Sequence, residues 1–329
     1  MKSKFKRKEL LGYSEYLLAR DFTSRVGQPI IFLILALSLG LAIAVIVPRL
    51  RNYSKAVAQA LTFTLGAGWL ILVWFHYKIA TTLVLTDPTG QLSPGSFKIP
   101  VWIENEKFFF WTLILGVLTI VGTRRPAEYQ SALNMTLAGF GVLTFFTSNP
   151  FAQPLPQFHA DFLNYLRVVA GGQSAMVKMQ TFHGLHGKMV GYYNSVYMWV
   201  HPPLLFIAYS TFVLAFLACV FMLVKKTQNY DILAHTYTKL GFILLTVGLL
   251  IGYPWAVDAW KGEPWWYDPK VNITLMMWVL YTAYLHARLY IHRKGMWVTT
   301  AVLGQLAFVG VVITYLTTYV IPGIHSVVG

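Results

Sequence analysis

Predominantly apolar stretches recur eight times along the chain, at residues 29–47, 56–75, 108–121, 132–147, 202–224, 239–253, 272–290 and 297–321. At the helical rise, about 20 residues cross the roughly 30 Å hydrocarbon core of a bilayer, the scale of most of these stretches. A backbone in lipid must satisfy its own polar groups, so a chain patterned this way folds as a set of membrane helices. Composition agrees: 56% of the 329 residues are hydrophobic and 12% are charged, too few charges to cover a soluble globule of this size. The third stretch is short unless it borrows Trp102 and Ile103. The expected fold is all-α, a polytopic integral membrane protein of about eight transmembrane helices. Residues 1–28 are expected to form a basic tail or amphipathic segment, and 29–329 the membrane domain.

Lys and Arg number 26 against 12 Asp and Glu, a net charge of +14. In a soluble protein that excess suggests nucleic acid. Here it flanks apolar stretches, where contact with membrane lipid accounts for it and no nucleic acid is expected. Basic turns at Arg49, Arg51 and Lys55, at Arg124 and Arg125, at Lys225 and Lys226, and at Arg288, Arg293 and Lys294 fall on one side if eight spans alternate. The positive-inside tendency makes that side the inner one. Lys2, Lys4, Lys6, Arg7 and Lys8 then lie outside, which a surface segment over 2–25, or the weight of four consistent turns, accommodates. Residues 9–27 lack the apolar region and cleavage site of a secretory signal. The outer side receives the longer connections, 76–107, 148–200 and 253–270. The single cysteine, Cys219, lies in an apolar run and excludes any paired-cysteine motif within the chain.

The segment Trp255-Ala-Val-Asp-Ala-Trp260-Lys-Gly-Glu-Pro-Trp265-Trp266-Tyr267-Asp268-Pro269-Lys270 carries four tryptophans and a tyrosine in thirteen residues between two apolar stretches. An interfacial aromatic belt scatters Trp and Tyr over many span ends. It does not account for this density beside Gly262, Pro264, Asp268 and Pro269. Indole faces packed side by side make an apolar platform for a planar macrocycle, with indole N–H groups and Lys261 or Lys270 available to its acidic substituents. His201 precedes Pro202-Pro203, so a helix is expected to open there, with proline in its first turn. His325 follows the eighth stretch. Counting spans puts His201, the Trp-rich segment and His325 on one face, the arrangement that bis-histidine ligation of haem iron needs; a single histidine at a span end is more often only interfacial. His286 falls in the inner half of the seventh stretch, where an ionisable group is costly; a ligand or relay role and a plain interhelical hydrogen bond both fit. His76 is expected at the outer end of the second stretch. His183 and His186 lack a Cys or acidic partner nearby, and His159, His235 and His292 are expected at the surface.

Trp255, Ala256, Trp260, Gly262, Trp265, Asp268, Pro269 and Lys270 resemble the tryptophan-rich signature of the haem-handling cytochrome c assembly family, the WWD domain. His201-Pro-Pro-Leu-Leu-Phe-Ile-Ala-Tyr209 and Ser148-Asn-Pro-Phe151 resemble its CcmF and NrfE branch. Tyr284-Leu-His286-Ala-Arg288 and Pro322-Gly-Ile-His325-Ser326 are similar to its CcsA or ResC branch. The resemblance covers about residues 29–326. It departs from the signature by one residue inserted between Trp260 and Trp265, by Tyr267 in place of the final tryptophan, and by Val271 in place of a glutamate.

The resemblance implies haem b as bound substrate, His201 and His325 as its outer axial ligands, and Trp255, Trp260, Trp265, Trp266 and Asp268 as the platform. It implies His286 as a ligand to haem in transit. The implied activity is that of a haem lyase subunit at the outer face of an energy-transducing membrane, presenting haem to the CxxCH cysteines of an apocytochrome c. Its partners would be a CcsB or ResB type membrane subunit and a thioredoxin-like thiol reductant. A CcmC-like haem transporter that makes no bond, and a non-haem membrane transporter or scaffold, are the alternatives.

Overall fold

The computed structural model describes residues 2–89, 94–121, 125–260 and 264–321, and within them all side chains but those of residues 2–11, 259, 260 and 265. Every one of the eight apolar stretches is helical. They lie in α1 (Lys2–Ile46), α2 (Ser54–Thr82), α3 (Lys107–Val121), α4 (Ala127–Thr147), α7 (Val196–Lys225), α8 (Asp231–Trp260), α9 (Pro269–Arg288) and α10 (Met296–Val320). Two further helices, α5 (Pro156–Ala170) and α6 (Ala175–Lys188), lie in the connection after α4, and a short antiparallel hairpin pairs Val84–Leu85 with Gly95–Ser96. Five helical segments, Gly12–Ile46, Pro48–Thr82, Val196–Lys225, Asp231–Asp258 and Met296–Val320, are long and apolar enough to cross a membrane. The fold is thus a polytopic membrane fold.

Several helices run beyond their apolar boundaries. α1 is continuous through Pro29. α7 starts at Val196, so His201 sits in its second turn and not at its start, and Pro202 and Pro203 are inside the helix. Proline cannot donate to the carbonyl four residues back, which leaves the Met198 carbonyl free of its helical donor; the Trp102 indole N–H supplies one at 2.7 Å. α8 runs on through Tyr253 to Trp260, so half of the Trp-rich segment is helix and not loop. Apolarity marks where a helix meets lipid, whereas hydrogen bonding carries it into the polar region beyond.

The chain divides into two compact units, the first formed by Met1–Ile43, Ala56–Leu113 and Ala138–Trp199, the second by Ala44–Lys55, Ile114–Leu137 and Val200–Gly329. In the first unit the connections between spans have a core of their own. α5 buries Phe158, Phe162 and Tyr165 at helical spacing, and Phe97 meets Phe158 and Phe162 edge-on at centroid separations of 5.0 and 5.8 Å. Leu155, the N-cap of α5, has no capping side chain. Glu104 does that work from a distant segment: its carboxylate accepts the N–H groups of Gln157 and Phe158, both at 2.9 Å. A carboxylate at a helix N-terminus also meets the positive end of the helix dipole.

Burial nevertheless pushes the Glu104 carboxyl up from its ordinary 4.5 to about 7, the two backbone hydrogen bonds opposing the shift. A folded-state value above the unfolded one means that stability is fully present below about 4.5 and is lost as pH rises through about 7. His159 is shifted downward, by burial and then by Arg20, and pulls the other way. The thermal midpoint of wild-type protein minus that of Glu104→Gln, measured in detergent across this window, is therefore expected to fall as pH rises. A difference that stays flat would contradict the assignment.

In the second unit, Arg288 at the end of α9 pairs with Asp231 at the start of α8, Nη2 to Oδ2 at 2.8 Å. Lys225 and Tyr230 both reach Glu128, and Arg125 donates to the Tyr237 hydroxyl. These contacts bring three of the four basic turns to one end of the unit. His201 lies 24 residues before Lys225 on α7, about 36 Å away at the helical rise, toward the other end.

Candidate functional site

The site is built where α7 and α8 approach closely. Three glycines on α8 meet α7: a Cβ on Gly241 would lie 2.4 Å from Thr211 Oγ1, one on Gly248 2.8 Å from Leu205 Cδ2, and one on Gly252 2.7 Å from both Cε1 and Nδ1 of His201. Small residues let helix backbones approach, which is how membrane helices associate without a hydrophobic drive between them. The approach brings the imidazole of His201 against the α8 main chain, with His201 Nδ1 at 2.7 Å from the carbonyl oxygen of Gly248. A carbonyl only accepts, so Nδ1 carries the proton and, in the neutral ring, the basic lone pair is on Nε2.

Trp255 follows Gly252 by three residues and Gly248 by seven, which places it on the same face of α8. It is buried. Asp268 is buried at the start of α9, where its Oδ1 accepts the N–H groups of Lys270 at 3.0 Å and Val271 at 3.2 Å, with Pro269 in the first helical position. The Asp-Pro pair thus opens a helix, as its chemistry favours. Trp266 and Tyr267 are exposed in the turn before it, at 54% and 75%, with ring planes tilted by 44°. Of the rings in this segment, those of Trp255, Trp266 and Tyr267 are described, the first buried and the other two exposed. The side chains of Trp260 and Trp265, and the whole of His325, lie outside the described residues.

His286 is exposed on α9, with its Nδ1–H donating to the Thr282 carbonyl at 2.9 Å. Trp278 Nε1 donates to Thr246 Oγ1 at 2.9 Å, which sets the register between α9 and α8. Counting from that contact, with the two helices antiparallel, His286 is about 18 Å along the helix direction from the level of His201. The two histidines are therefore separate positions, and the structure does not bring them together.

Several contributors escaped sequence reading. Gly248 and Gly252 were visible only as a four-residue glycine spacing in an apolar run, the signal that could have found them. His76 is not a span-end group: α2 continues to Thr82, and His76 is buried with Nδ1 at 2.8 Å from the Ile99 carbonyl and Nε2 at 2.8 Å from Glu106 Oε1. His183 and His186 lie one turn apart on α6, with the His186 ring stacked over Phe182.

Residues 102–325 match the family model described as Cytochrome C assembly protein. The chain is 24% identical over 278 residues to the cytochrome c-type biogenesis protein CcmF of Escherichia coli (strain K12), covering 77% of this chain and 39% of that protein. It is 40% identical over 100 residues to the cytochrome c biogenesis protein CcsA of Gloeobacter violaceus, covering 30% of this chain and 29% of that one. The solved structure of the cytochrome c haem lyase CcmF superposes on 91% of this chain and 50% of its own, with a TM-score of 0.55 at 18% identity, a likeness of fold. The chain thus spans well under two thirds of the length of these relatives.

Proposed function

The chain belongs to the cytochrome c assembly protein family, and from that premise we propose that it binds haem at the outer face of the membrane and presents it for attachment to apocytochrome c. The observation that carries this reading is the His201 imidazole, whose proton is held on Nδ1 by the Gly248 carbonyl so that Nε2 is the basic nitrogen. An imidazole prepared in this way suits an axial position on haem iron. Its place at the end of the unit away from the basic turns fits an outer location by the positive-inside tendency. Exposed Trp266 and Tyr267 offer apolar ring faces at the same helix end as Trp255.

Haem is the substrate. Each attachment adds a cysteine S–H across a vinyl C=C: sulfur bonds to one vinyl carbon, the thiol proton ends on the other, and no net redox change occurs. No nucleophile in this chain takes part; the thiols are those of the CxxCH segment. The chain's part is to hold the porphyrin by His201, with His325 as the opposite ligand, and to keep a reactive edge presented. The aromatic side chains exclude water from the remaining faces. His286 serves haem at a second level in the membrane. A CcsB or ResB type membrane subunit and a thioredoxin-like reductant complete the machine, the latter keeping the thiols reduced. Eight spans, including α3, α4 and α9, are the arrangement we propose for the membrane domain.

The test is the absorption spectrum of protein purified in mild detergent, oxidised and reduced, with haem quantified as the pyridine haemochrome. Low-spin b-type bands are expected in the wild type, and their loss or displacement in His201→Ala with the protein still inserted. Haem bound but never transferred to apocytochrome, even with the partner subunit present, would favour the transporter reading. Protein without haem after reconstitution with haem and partner would refute both.

A further inference from the structure

Two approaches to the His201 ring come from the α8 main chain, and they set what can change there. Helix α8 meets the imidazole at two points one turn apart. The Gly248 carbonyl accepts the Nδ1 proton at 2.7 Å, and Gly252 lies so close that a Cβ would come within 2.7 Å of both Cε1 and Nδ1. A helical carbonyl has a second lone pair available beyond its own helix bond, so the contact does not cost α8 its ladder. A ring pinned at Nδ1 with its edge against a glycine has one orientation, and Nε2 then points away from α8.

We propose that Gly248 and Gly252 are positioning residues for His201: the first sets the tautomer through its carbonyl, and the second provides the space that allows the bond to form. This inference rests on the reading of His201 as an axial ligand to haem. Its consequence is that ligand strength at this position is set by how closely α8 approaches the ring at Gly252. A change that spreads the helices at Gly252 uncouples the ring from its carbonyl while leaving the histidine in the sequence.

Gly241, on the same helix, supplies a control of the same chemical size. In Gly252→Ala the new methyl meets the ring itself, so His201 must turn or retreat and the bond to Gly248 is lost. Gly241→Ala meets Thr211 Oγ1 at 2.4 Å and the Phe212 ring at 2.6 Å, two turns away, so it strains the same helix pair without touching His201.

The experiment compares Gly252→Ala and Gly241→Ala with wild type and His201→Ala. The first readout is haem affinity and band position in detergent. Gly252→Ala is expected to lower haem affinity by about 10-fold or more, the range seen when an outer-shell partner of a metal ligand is lost, and to shift the reduced bands. Gly241→Ala is expected to keep wild-type bands. The second readout needs no haem: in haem-free protein labelled with 15N-histidine, the His201 signal should report a protonated Nδ1 in wild type and Gly241→Ala, and lose that signature in Gly252→Ala. Wild-type spectra in Gly252→Ala, or a protonated Nε2 with bare Nδ1 in the wild type, would overturn the proposal. If His201→Ala itself leaves the haem spectrum unchanged, the ligand reading fails instead, and the haem-free tautomer measurement still decides the positioning.

Discussion

His76→Ala is expected to destabilise the protein by about 3–5 kcal/mol, the range for removing one partner of a buried ion pair. His76 and Glu106 are 4% and 1% exposed. Because the Ile99 carbonyl holds a proton on Nδ1, a hydrogen bond at Nε2 needs one further proton between the imidazole and the Glu106 carboxyl. Truncation removes both contacts of the ring at once, orphaning the carbonyl and leaving Glu106, whose other oxygen already has no partner among the described residues. Glu106→Gln should be far milder, since its amide can donate to Nε2 while Nδ1 keeps the carbonyl. SDS unfolding in mixed micelles measures both. Equal losses in the two variants would mean that the pair is not what holds this region.

Phe151→Ala is expected to cost a similar amount, about 3–5 kcal/mol for a fully buried phenylalanine. The ring is 0% exposed and lies against α1 and α2: a Cβ on Gly27 would fall 1.9 Å from its Cδ1 and one on Gly68 3.3 Å from its Cζ, with Phe109 edge-on at 5.6 Å. Asn149 fixes the turn that delivers it, accepting from Phe151 N at 3.0 Å and Ala152 N at 3.2 Å. Asn105 and Ser148 tie that turn to the segment before α3. Gly27→Ala alone should also destabilise strongly, by overpacking, yet the double variant should be less harmed than the two losses summed, because the methyl then enters the space the ring leaves. Strict additivity would show that Phe151 does not occupy the Gly27 notch.

The role of Ser148-Asn-Pro-Phe151 illustrates what was legible. As a motif it pointed to a family; only the packing shows that it delivers a ring to glycines more than eighty residues away. The positions of α3, α9 and α10 follow their apolar stretches within a few residues. α7 and α8 extend well past theirs, because Val196–Val200 and Tyr253–Trp260 are helical without being uniformly apolar. α5 and α6 were not anticipated at all: their apolar residues face an aromatic core inside the connection between α4 and α7, and nothing in 148–200 is long enough to signal a span.

Of the candidate site, helix counting puts His201, Trp255 and Asp268 toward one face, but the local contacts of each were not legible in the sequence. Asp268 caps a helix, Trp255 is enclosed, and the partner that orients His201 is a main-chain carbonyl, which has no residue-type signature. The sequence by itself determined that the chain is helical, lies in a membrane and carries its basic turns on alternate connections, because lipid leaves a backbone no alternative and those patterns are local in the chain. Tertiary structure alone decided which nitrogen of His201 holds its proton, which carboxylate caps α5, and which histidine is buried against a glutamate. Those depend on approaches of a few ångströms between segments tens of residues apart, set by where a glycine lets two backbones meet.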